Sequence, residues 1–77
     1  MNKQRRNEIR RAIRMIEEAH EILAECADQE DEAFDALPES IQESERGERM
    51  EECLEALDEA LETIDDLIDN ISTVCEI

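Results

Sequence analysis

Glu17 and His20 stand three residues apart in the run EEAH, a spacing that stacks a carboxylate and an imidazole one turn apart on a helix. In helical bundles an ExxH pair supplies ligands to two-metal carboxylate sites, and a second copy of the chain would bring a second pair. The rest of such a ligand set is missing. The apolar positions of the second half of the chain carry no Glu, Asp or His, so no metal, cofactor or catalytic residue is assigned. His20 reads instead as an inward-facing residue whose hydrogen bond fixes the register of packed helices. Glu30 occupies an equivalent inward position and is expected to pair with Arg49 or Arg46 for the same purpose.

Other reactive groups reduce to structure in the same way. Cys26, Cys53 and Cys75 are odd in number and lack paired-ligand spacing. In a reducing cytoplasm they read as small apolar core residues. Asn70-Ile71-Ser72 matches a glycosylation acceptor, but no secretory signal precedes it. No apolar run approaches the roughly 18 residues of a membrane span. No glycine-rich phosphate loop is present, and no nucleophile, base and orienting group converge.

The elements that must position these residues are legible in the apolar spacing. Ile9, Ile13, Ile16, His20, Leu23, Ala27, Glu30, Phe34 and Leu37 advance by alternating steps of four and three, the seam of a coiled coil. Ala12, Ala19, Cys26 and Ala33 form a seven-residue column beside it, and Met15 and Ile22 widen the apolar arc to roughly 160°. Met50, Leu54, Leu57, Leu61, Ile64, Ile68, Ile71 and Cys75 repeat the seam after the break, flanked by Cys53, Ala60, Leu67 and Val74. Folded back near residue 40, the columns would meet, with Ala19 near Ala60, Cys26 near Cys53 and Glu30 near Arg49.

The connector FDALPESIQESERGERM, residues 34–50, holds the only proline and the only glycine. Pro38 disfavours helix at Leu37, Ser40 and Glu43 can form a capping box, and Ser44 offers a second helix start. Gly47 falls within the first turns of the second helix, where it costs roughly 1 kcal/mol relative to Ala unless close approach requires it. The expected fold is all-α: one domain over residues 1–77, an antiparallel two-helix coiled-coil hairpin. Helix one covers about 3–36, the turn about 37–44 and helix two about 45–75. A lone hairpin leaves much of the wide face of helix one wet, so two copies are expected to pair into a four-helix bundle. A trimer, or a heteromeric partner, stays open.

Charge is distributed unevenly. The chain of 77 residues carries −16, yet residues 1–14 hold six bases against Glu8 alone. An antiparallel hairpin would lay that basic start beside Asp65, Asp66, Asp69 and Glu76; a basic docking arm is the other reading. From Met50 onward there are ten acids and no Lys or Arg. Their i,i+4 repetition, as in Glu51–Glu55–Glu59 and Asp58–Glu62–Asp66, costs about 0.2–0.5 kcal/mol per pair. Solubility is one account of that excess and imitation of nucleic acid is another. A dimer would carry twice −16 along a rod, at a spacing near the roughly 1.7 Å per charge of duplex DNA. Direct binding to nucleic acid is disfavoured, because neither a basic groove nor an aromatic platform exists.

The connector LPESIQESERGERMEE, residues 37–52, followed by an acidic Leu/Ile heptad, resembles small acidic proteins of unassigned role from phages, prophages and mobile elements of Gram-positive bacteria. The resemblance implies a short helical hairpin working in the cytoplasm of a bacterial host cell. It carries over no site residues. Among short acidic phage proteins are inhibitors of host defence that occupy the DNA-binding face of an effector, an analogy of class only.

The expected function is therefore that of a non-enzymatic acidic protein-binding module, a phage-type inhibitor mimicking DNA toward a host nucleic-acid-binding or defence protein. Its partner face is Glu51, Glu52, Glu55, Asp58, Glu59, Glu62, Asp65, Asp66 and Asp69, and its partners are a second copy of itself and a basic host protein, without membrane or direct nucleic-acid binding. The alternative is a structural or regulatory coiled-coil adaptor acting through helix packing, its acidity serving only solubility.

Overall fold

The computed structural model describes residues 1–76. Helix α1 runs Lys3–Asp35, a single turn α2 runs Glu39–Gln42, and α3 runs Glu45–Cys75. The two long helices pack antiparallel into a hairpin, and α2 packs on α3. The whole measures 58 × 15 × 12 Å. It is two helices wide and one helix thick.

Local chemistry sets each boundary. Asn2 caps α1, its Oδ1 accepting from the Arg5 amide at 2.8 Å, which satisfies one of the four free N–H groups at a helix start. At the other end Pro38 keeps Leu37 from continuing the helix and starts α2, its carbonyl accepting from the Ile41 and Gln42 amides at 2.9 and 3.0 Å. Gln42 then turns its side-chain amide back: Nε2 donates to the Phe34 carbonyl at 3.0 Å and the Leu37 carbonyl at 3.1 Å. The Phe34 carbonyl also accepts from the Leu37 amide at 3.0 Å, so the Gln42 side chain ties the connector onto the end of α1. Ser44, with extended backbone, opens α3, and its hydroxyl is bonded to the Ile41 carbonyl. Glu45 and Glu48 in the first turn of α3 complement its dipole.

The expected Ser40–Glu43 capping box does not form. Ser40 lies inside α2, whose N-cap is Pro38, and Glu43 is the residue that closes it. A turn of helix replaces the extended geometry that a capping serine needs.

Gly47 is the tightest point. It is buried, and a Cβ built on it would lie 2.5 Å from the Gln42 carbonyl carbon and 2.7 Å from its Cα, with the carbonyl oxygen nearer still. The connector is folded so closely onto the first turn of α3 that only hydrogen fits between them. Close approach therefore answers the helix penalty of a glycine at this position.

Among the described residues the seam between the long helices is the only core. Every position of both heptad rows, from Ile9 to Leu37 and from Met50 to Cys75, is buried or half-buried. The flanking columns are not. Ala12, Ala19, Cys26 and Ala33, with Cys53, Ala60 and Leu67, are exposed, and Val74 is half-buried. The expectation that these columns face each other between the helices is thus corrected, as is the placement of Cys26 and Cys53 in the core. A pair of helices meets along one line, and residues rotated further round stay outside it. Among the described hydrophobic residues only Ile13 and Ala27 are buried rather than half-buried. The surface of 5976 Å² exceeds by about 1,200 Å² the roughly 4,800 Å² of a compact monomer of 8.9 kDa.

Candidate functional site

Three surfaces follow from this frame. The first is the outer side of α3. Glu51, Glu52, Glu55, Asp58, Glu59, Glu62, Asp65, Asp66 and Asp69 are all exposed. They fill one broad side of the helix, because steps of three and four keep returning to the same azimuth. Thr63 and Thr73 sit within and just beyond this ridge, with their hydroxyls turned back to the Glu59 and Asp69 carbonyls at 2.9 and 3.1 Å. Of the nine carboxylates Asp65 alone has a side-chain nitrogen within ion-pair distance among the described residues, that of the His20 imidazole.

That neighbour defines the second surface. His20 Nε2 stands 3.2 Å from Asp65 Oδ1, the only approach of this kind between α1 and α3 among the described residues. The approach is close but not aligned as a hydrogen bond, so Nε2 is a buried polar atom without a hydrogen-bond partner. In place of the register-fixing hydrogen bond expected of His20 there is only this close approach. Glu17, His20, Glu21 and Asp65 border one shallow groove, with Ile68 at its floor. The structure thus does bring the ExxH pair beside a carboxylate of the other helix. Among the described residues, however, no three His, Cys, Asp or Glu side chains converge closely enough to hold a metal ion.

Further along the same side, Arg10 and Arg14 share a groove with Ser72 and Glu76. The basic start of α1 does lie beside the acidic end of α3, although no arginine there comes within ion-pair distance of it among the described residues. Toward α3 the bases act as a field rather than through fixed pairs. The ion pairs that do form are local, Arg11–Glu8 and Arg49–Glu45, each at 3.3 Å and both exposed. Glu30 is accordingly not the partner of Arg49. An i,i+4 carboxylate on the same helix reaches the guanidinium without crossing the groove.

The third surface lies on the opposite side of the slab. Cys26 and Glu30 of α1 and Arg46, Arg49, Met50, Cys53 and Leu57 of α3 line an open groove of about 570 Å³. Met15 and Ile22 precede Cys26 by eleven and four residues, which places them on the same side of α1; Leu67 follows Cys53 by two heptads on α3. Met15 is 61% exposed, Ile22 57% and Leu67 43%. One face of the hairpin is therefore apolar and uncovered. The flanking columns announced it in the sequence; contact between two helices alone cannot bury them.

No helix of the described residues is long and apolar enough to cross a membrane. Compared with protein-family models, curated proteins and solved structures, the chain finds no match.

Proposed function

We propose that the chain is a non-enzymatic protein-binding module, active as a homodimeric four-helix bundle in the cytoplasm of a bacterial host, that inhibits a nucleic-acid-binding or defence protein by mimicking DNA. The observation that carries this reading is the ridge of α3. Its nine carboxylates from Glu51 to Asp69 occupy eighteen helical steps, or about 27 Å, which is roughly one charge per 3 Å. One strand of duplex DNA carries one per about 3.4 Å. For the dimer, twice −16 over a rod of 58 Å is one net charge per about 1.8 Å, against roughly 1.7 Å for the duplex. Ile77 adds no side-chain charge to this comparison.

Such a surface recognises a basic cleft by counterion release, so affinity falls steeply with salt. The test is affinity capture from a bacterial host at low salt, with elution by duplex DNA. A DNA-handling protein that DNA displaces, and that a Glu55→Lys, Glu59→Lys, Glu62→Lys variant fails to capture, is the expected result. Inhibition left intact by those three reversals sinks mimicry.

The uncovered apolar face favours a second reading, a structural or regulatory adaptor working through helix packing. Under it Ala19→Leu or Ala60→Leu impairs function more than any surface charge does.

A further inference from the structure

We infer that the apolar face bearing Met15, Ile22 and Leu67 is covered by the same face of a second copy laid antiparallel, the turn of one hairpin against the termini of the other. The inference rests on the dimer proposed above and gives it a face, a direction and a centre.

Area sets the kind of occupant. In outline this side of the hairpin measures at most 58 by 15 Å, about 870 Å² per copy. A stable protein–protein interface takes roughly 800 Å² from each partner. A short peptide or small ligand would leave most of the strip wet, whereas an identical hairpin matches it from end to end. The rim is also low in charge for so acidic a chain, with Arg46 and Arg49 set beside Glu30 and Glu45 at one end and Arg5 beside Glu8 at the other. A second copy can approach here without meeting the α3 ridge of the first.

Charge sets the direction. At the termini, residues 1–14 and 65–76 carry six bases against five acids, a net of +1. Near the turn, residues 25–55 carry thirteen acids against Arg46 and Arg49, a net of −11. Parallel pairing would set −11 beside −11. Antiparallel pairing sets each acidic end beside the near-neutral, arginine-bearing end of its partner, and like charges held close in an interface cost several kcal/mol.

Symmetry sets the centre. A twofold axis across the face places α1 against the partner's α1 and α3 against the partner's α3. Full overlap puts the axis at the helix midpoints. The midpoint of Lys3–Asp35 is Ala19 and that of Glu45–Cys75 is Ala60. Both are exposed alanines, small enough to let helices come together at the dyad. Seven residues to either side, Ala12 then faces the partner's Cys26, and Cys53 faces the partner's Leu67, small against large.

This register can be read by cross-linking. In a chain carrying Ala12→Cys, Cys53→Ser and Cys75→Ser, the remaining thiols lie fourteen residues apart on one helix, about 21 Å, and cannot join within a copy. Mild oxidation with diamide, which is reduced as two thiols lose their protons and electrons, should give a covalent dimer. Peptide mapping should show residue 12 joined to residue 26. Links of 12 to 12 and 26 to 26, or a dimer by sedimentation that does not cross-link, overturn the antiparallel arrangement while leaving dimerisation standing. A wild-type chain that sediments as a monomer at micromolar concentration overturns both. Ile22→Glu supplies an independent check, since it should weaken the dimer by tenfold or more, about 1.4 kcal/mol or above; an unchanged dimer constant overturns the chosen face.

Discussion

Gly47 and Gln42 are in backbone contact: the start of α3 passes so near the end of α2 that a Cβ at position 47 would lie 2.7 Å from the Gln42 Cα. Helix propensity alone favours Ala over Gly inside a helix by about 1 kcal/mol. The contact reverses that sign. Gly47→Ala should lower stability by about 1–3 kcal/mol, the usual range for overpacking, because backbone rather than a flexible side chain must give way. Thermal unfolding followed by circular dichroism reads the result, and a raised midpoint would show that the connector can relax.

His20 gives a second prediction with an unusual sign. It occupies a seam position and keeps Nε2 buried without a hydrogen bond. Leu at the same place fills the seam and removes an unsatisfied polar atom. His20→Leu should stabilise the hairpin by about 1 kcal/mol at neutral pH, measured by urea titration. If stability falls, the contact with Asp65 contributes more than its geometry suggests.

Ile13 and Met15 separate hairpin packing from association. Ile13 is 8% exposed and Met15 61%. Ile13→Ala should cost about 2–5 kcal/mol in unfolding free energy. Met15→Ala should change unfolding little at high dilution and shift the concentration dependence of the melting midpoint. Parallel melts at two protein concentrations distinguish the two effects.

The acidic ridge predicts opposite effects on stability and on binding. In the Glu55→Lys, Glu59→Lys, Glu62→Lys variant, residues 55 and 62 become attractive partners of Glu51, Asp58 and Asp66, while 55 and 59 repel each other. Three repulsive i,i+4 pairs become attractive and the 55–59 repulsion keeps its size, so stability should rise by about 1–3 kcal/mol, alongside lost capture of a basic partner. A variant that binds poorly because it is unfolded would fail this check in its circular dichroism spectrum.

The hairpin was legible because heptad spacing is a local signal, and the inward phase of Ile9 to Leu37 follows from it alone. The flanking columns carried the same seven-residue period, so period could not say whether Cys26 and Cys53 meet inside or border a groove outside. That depends on how many helices share the core. Gly47 illustrates a different limit. Its neighbour Gln42 is close only because a turn of helix replaces the expected cap at Ser40, a choice made by tertiary fit rather than propensity. Glu30 and Arg49 failed to pair for a simpler reason, since Glu45 competes from one turn away.

The slab is 12 Å thick, one helix, and so has no interior in the sense that a globular domain does. Its cohesion is counted per heptad along a line, as in a zipper. Removing one heptad from each helix in register would shorten the molecule without changing its cross-section and should withdraw a proportionate share of the free energy. Length, rather than the quality of a central cluster, is the variable by which such a chain can be made firmer or looser.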